Sequence, residues 1–192
     1  MMLAALMVAA MGASGLQAES TESIRDRKPD LFHPDTGLRI ARQRAPTPDD
    51  IPGPATMVDA VTVAGLLQSG ALAIDVFGAL QSRYDELDGT WLVRGPRDTL
   101  PGAVWLPEIG RGVLTAEMQA YLASNLARLT HGDLARPVIV LCVADCWMSW
   151  NAAQRIADLG YSHVHWFRLG TDGWLDEGYT LMPVMPVPVA VE

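Results

Sequence analysis

The stretch "PVIVLCVADCWMSWNAAQRIADLGYSHVHWF", residues 137–167, sets the architecture. Residues 137–142, "PVIVLC", form the most hydrophobic run of the chain, short and bounded by turn residues, which predicts a strand buried on both faces. From about Ser149 to Leu159 the pattern turns helical, with Gly160 at the C-terminal end. "HVHWF", 163–167, returns to a strand. Strand, helix and strand in close succession predict two parallel neighbours joined by a crossover helix.

The same alternation extends outward. "ALAIDVF", 71–77, is a second apolar run of strand length, and "GAVWLP", 102–107, a third. Val61, Ala64 and Leu67 share one face of a helix predicted over Met57–Gln68, with Gly70 just beyond it. Thr115 is placed to cap a helix on which Met118, Leu122, Leu126 and Leu129 recur at helical spacing. Residues 78–100, including Trp91, read as a long loop, and "TDGWLDEGY" as a short helix or turn. The expected class is therefore α/β: a mostly parallel sheet flanked by helices on both faces.

The flanks differ in composition. Residues 1–18, "MMLAALMVAAMGASGLQA", carry no charged side chain and end on a small residue, which reads as an export signal and places the mature protein in the periplasm. Residues 19–55 hold prolines at 46, 48, 52 and 54 without a sustained period, and read as an extended arm. The domain proper is expected over 56–182. The remainder, 183–192, alternates proline with apolar residues, which suits an extended tail. With 14 Lys and Arg against 22 Asp and Glu, the net charge of −8 excludes nucleic acid and anionic lipid as natural partners. Beyond the export signal no segment is expected in a membrane.

Both cysteines of the chain fall in one loop, Cys142 and Cys146, after the central strand and before the helix. In such sheets the functional crevice lies beyond the carboxyl ends of the strands. The helix N-terminus presents N–H groups that favour a thiolate. On a regular helix this spacing puts the Cα atoms about 6 Å apart, in the upper part of the disulfide range. A bond there would join no distant segments, so it suits redox chemistry better than structural support. The competing reading is a buried strand-end cysteine with an incidental neighbour. Asp145 is a candidate proton acceptor for Cys146, or a helix cap. Cys142, Cys146, Met148 and His165 form an alternative soft ligand set for copper. Trp147, Gly170 and Asp172 are candidate contacts for a planar quinone, against packing for the tryptophan and a turn for "GTDGW". Asp75 and Arg155 are a candidate structural ion pair.

In order and spacing, residues 57–182 resemble the rhodanese-like domain. "ARQRAPTP", "LPGAVWLPEIGRG", "CVADCWMSWNAA" and "GTDGW" are similar to the exported CXXCW-motif proteins associated with pyrroloquinoline quinone (PQQ)-dependent catabolism. The resemblance implies that Cys142 is the nucleophile, carrying a persulfide or entering redox exchange, with Cys146 as its resolving partner. The activity would be sulfurtransferase-like or thiol–disulfide exchange. It also implies a partner among periplasmic PQQ-dependent dehydrogenases or their cytochromes; in the alternative, the chain is a non-catalytic module that binds copper or a quinone for such a partner. This loop departs from the rhodanese pattern in having no glycine and no cation, and in carrying Asp145 at its centre.

Overall fold

The computed structural model describes residues 19–190; the export segment expected over 1–18 lies outside them. Five strands, numbered in chain order, form a wholly parallel sheet: β1 (Thr56–Val58), β2 (Leu72–Asp75), β4 (Val104–Trp105), β5 (Val138–Leu141) and β6 (Val164–Phe167). Their spatial order is β1-β6-β5-β2-β4, so β5 lies at the centre. β3 (Arg97–Thr99) pairs separately and antiparallel with β7 (Met182–Val184).

Every residue of β2 and β5 is buried, as their unbroken apolar runs require when both faces are covered. The period of two then sorts the side chains. Ile74, Val138, Val140, Cys142 and Trp166 face the layer built by α3 (Ala116–Thr130) and α4 (Trp147–Asp158). Ala73, Ile139, Leu141 and Phe167 face α2 (Ala60–Gln68) and α5 (Gly170–Asp176). The α/β architecture with helices on both faces is thus the one the sequence predicts. Thr115 caps α3 as expected, its Oγ1 accepting from the Met118 N–H at 3.2 Å.

Three segments differ from their sequence reading. The helix expected from Met57 starts only at Ala60, because Asp59 caps it through the Thr62 N–H at 2.8 Å. That leaves Thr56–Val58 free to pair with β6 as an edge strand. Residues 19–55 are not a bare extended arm: Ser20 caps α1 (Thr21–Arg27), a 3-10 turn covers Pro29–Leu31, and Ile24, Phe32 and Leu38 are buried in the α4 layer. The loop over 78–100 contributes β3, which the C-terminal segment covers as β7. Among the described residues no helix is long and apolar enough to cross a membrane.

Candidate functional site

Cys142 follows the last residue of β5 and Cys146 stands at the N-cap of α4, so the strand end and the helix start bracket one tight loop. The chain reverses at Asp145, held in the left-handed region at φ 55°. Two other segments clamp this turn. From the N-terminal arm, Ala45 N–H donates to Asp145 O (3.0 Å), Thr47 N–H to Asp145 Oδ1 (3.3 Å), and Gln43 O accepts from Trp147 N–H (2.8 Å). From α5, Thr171 N–H donates to Cys142 O (3.0 Å), and Asp172 Oδ2 accepts from Ala144 N–H (2.6 Å). Asn151 ties α4 to the arm in both directions: its Oδ1 accepts from Arg39 N–H and its Nδ2 donates to Arg39 O, each at 2.8 Å.

The two sulfurs are neighbours in the loop, and neither is in a disulfide. Their surroundings separate them. Cys142 is 0% exposed, whereas Cys146, at 3%, lines a cavity of about 680 Å³ together with Gln43, Arg44, Phe77, Arg97 and Met148. Burial pushes the Cys142 thiol well up, and the neighbouring Cys146 sulfur and the Asp75 carboxylate push it the same way. Cys146 is pulled down, first by the hydrogen bond from Cys142 and then, against its own burial, by the Met148 amide and the Arg44 guanidinium. Of the two, Cys146 is therefore the readier to ionise, with the Cys142 S–H as its neighbouring donor. The Cys142 hydrogen bond, helped by the helix-terminal amide and one cation, outweighs desolvation at Cys146, whereas at Cys142 desolvation leads.

Asp75, wholly buried at the end of β2, accepts from Arg97 Nε at 2.6 Å and from the Phe77 N–H at 2.9 Å. Burial raises its pKa and Arg97 opposes the rise. The expected partner Arg155 lies elsewhere, donating to Ile109 O at 3.1 Å and Gly112 O at 2.7 Å, so the Asp75–Arg155 pair is corrected to Asp75–Arg97.

The remaining candidates fall as follows. Asp145 spends its Oδ1 on the Thr47 amide and makes no cap hydrogen bond to α4, where Cys146 holds the cap position. Trp147 is 0% exposed, packed edge-on against Phe32 and Trp150 and under the Arg39 guanidinium at 4.3 Å, and offers no face to a planar ligand. Gly170 backs directly onto Cys142 O, and Asp172 is committed to Ala144 N–H. These residues do not fit a quinone. Nor is the copper set assembled: Met148 is beside Cys146, but His165 pairs in register with Ile139, on the face opposite Cys142, and bonds Thr56 Oγ1 at 3.0 Å. Among the described residues no group of three or more His, Cys, Asp or Glu can hold a metal ion. Sequence reasoning missed Arg44 and Arg97. For Arg44 the only signal was its place in "ARQRAPTP", one of the segments shared with the CXXCW-motif proteins.

No family model and no curated protein sequence matches the chain. Solved sulfurtransferase structures are similar to it in fold. A thiosulfate sulfurtransferase from Pseudomonas aeruginosa is 22% identical with a TM-score of 0.47, over 71% of this chain and 22% of that one. The polysulfide-sulfur transferase homodimer of Wolinella succinogenes is 18% identical with a TM-score of 0.42, over 66% and 77%. A 3-mercaptopyruvate sulfotransferase from Escherichia coli is 17% identical with a TM-score of 0.43, over 70% and 53%.

Proposed function

We propose that this chain is a rhodanese-like thiol protein, acting in sulfur transfer or thiol–disulfide exchange, in which Cys146 attacks and Cys142 resolves. The assignment reverses the roles implied by the family resemblance. One observation carries it: of two neighbouring sulfurs, only Cys146, the one whose thiol is pulled down, lines a cavity. The thiolate, not the thiol, is the nucleophile. Attack by Cys146 on a disulfide sulfur breaks that bond, expels one thiolate and leaves a mixed disulfide on Cys146. Cys142 then attacks Cys146 Sγ, passing its proton to the departing thiolate, and the Cys142–Cys146 disulfide forms. On a persulfide at Cys146 the same step expels hydrosulfide. Either way the substrate gains two electrons and the protein loses them, until an external dithiol restores the pair.

Export to the periplasm, and service to a PQQ-dependent dehydrogenase or its cytochrome, belong to the same proposal and rest on the sequence alone. Mass measurement of single-cysteine variants tests the thiol chemistry. After treatment with 2-hydroxyethyl disulfide, Cys142→Ser is expected to keep a mixed disulfide on Cys146, Cys146→Ser to stay unmodified, and the native chain to end two hydrogens lighter. An adduct on Cys142 in Cys146→Ser, with no loss of hydrogens in the native chain, overturns the assignment.

A further inference from the structure

The cavity above Cys146 carries more cation than a thiolate needs. Arg44, Arg94, Arg97 and Arg111 line it, with Asp98 as the one acid on its wall. Arg97 is held by Asp75 and Arg111 by Glu108, each at 2.6 Å. Arg44 and Arg94 make no ion pair among the described residues, and a buried Nη2 of Arg97 finds no acceptor. In a chain with net charge −8 this is a local reversal of sign. A cleft lined by one sign concentrates the opposite ion whatever the net charge of the molecule.

The cavity is also larger and less polar than an inorganic anion requires. At about 680 Å³ it falls within the range of roughly 300–1,000 Å³ typical of organic ligand sites. Phe77, Leu80, Val93 and Trp105 supply apolar wall, and Arg97 lies over the Phe77 ring at 4.2 Å. Resting on the thiol reading above, we infer that the substrate of Cys146 is an organic disulfide bearing carboxylates, its charged ends held by Arg44 and Arg94 and its carbon skeleton against the apolar wall. Arg44 has a second task, because it also stabilises the attacking sulfur. Cys146 takes one half of the disulfide and expels the other as thiolate. Cys142 displaces the half that was taken, so two thiols leave for one disulfide consumed, and a dithiol reductant such as dithiothreitol resets the protein.

Three probe disulfides of graded charge test this on the full chain: 3,3′-dithiodipropionate (dianionic), 2-hydroxyethyl disulfide (neutral) and cystamine (dicationic). Each rate is divided by that of the same probe with β-mercaptoethanol, which removes intrinsic differences in reactivity. The expected result is a preference for the dianion over the dication of about tenfold or more at low ionic strength, shrinking as salt screens it. In Arg44→Gln/Arg94→Gln, two substitutions of exposed side chains, the preference falls toward one even though all three rates drop with the thiolate. A native chain without the preference, or a double variant that keeps it, overturns the inference and leaves the thiol reading standing, since the neutral probe still reacts. Failure of all three probes overturns both.

Discussion

At the residue scale, the central fact is that one thiol stabilises the other. Burial holds the Cys142 thiol up, and the charge of Asp75, which opposes ionisation of both sulfurs, adds to it. The Cys142 proton is therefore available to Cys146, whose anion also meets the Met148 amide and Arg44. In Cys142→Ala that donor is gone. A hydrogen bond to a charged group is worth about 1.5–3 kcal/mol, so the ionisation constant of Cys146 should fall by about tenfold or more. The inflection in the pH profile of iodoacetamide alkylation should move to higher pH. Cys146 has a depressed pKa in the folded chain, so its contribution is complete above the ordinary thiol pKa and is lost as pH falls through the folded value. Denaturant midpoints of native and Cys146→Ser chains should therefore converge as the pH is lowered through that inflection. An alkylation profile unchanged by Cys142→Ala would mean that the hydrogen bond does not set the thiolate.

At the element scale, the loop is held by the two segments that approach it. Gly170 shows how closely α5 comes: a Cβ there would lie 2.1 Å from Cys142 O, on a backbone already at φ 54°. Gly170→Ala must push α5 away from the loop and break the hydrogen bond from Thr171 N–H to Cys142 O. Gly178, at φ 80° with nothing within 4 Å of its Cβ position, is the control, since its alanine variant meets only the left-handed backbone cost of about 1 kcal/mol. Gly170→Ala is expected to cost about 2–4 kcal/mol in thermal or denaturant unfolding, and to slow Cys146 alkylation, whereas Gly178→Ala leaves alkylation unchanged. Equal costs would show that the close approach is not needed. The sequence made the elements of the central layer legible, because β2, β5 and β6 are apolar runs and α3 carries its cap at Thr115. It hid β1 and the β3–β7 pair, each strand only three residues long, whose order comes from the neighbour and not from their own pattern.

At the scale of the whole molecule, the N-terminal arm matters most. Its prolines read as an extended arm, which leaves out what tertiary contacts do with Ile24, Phe32 and Leu38. Periodicity could not reveal this, because isolated apolar residues in an irregular stretch show their burial only once α4 presents a surface to them. The same limit applied to the site. Both cysteines were visible as a pair in one loop, but Arg44, which meets them across the fold through its bridge to Cys146, was not. Phe32 decides whether the arm belongs to the domain. It is 6% exposed, with its ring 5.6 Å from Trp147 and 6.4 Å from Trp150, between the guanidiniums of Arg25 and Arg39. Truncation of such a phenylalanine costs about 3–5 kcal/mol when the cavity left behind cannot collapse, and here the walls are two tryptophans fixed to α4. If the arm and the sheet unfold as one unit, Phe32→Ala lowers the single unfolding transition by that amount, and the arm's amides exchange no faster than those of α4. If the arm were a separate appendage, Phe32→Ala would leave the main transition in place, and residues 19–47 would exchange well before the core. In that case Arg44 would be withdrawn from Cys146 for much of the time, and alkylation of the thiolate should slow together with the loss of arm protection. Measuring amide exchange and alkylation on the same variant therefore ties the packing of the arm to the reactivity of the sulfur.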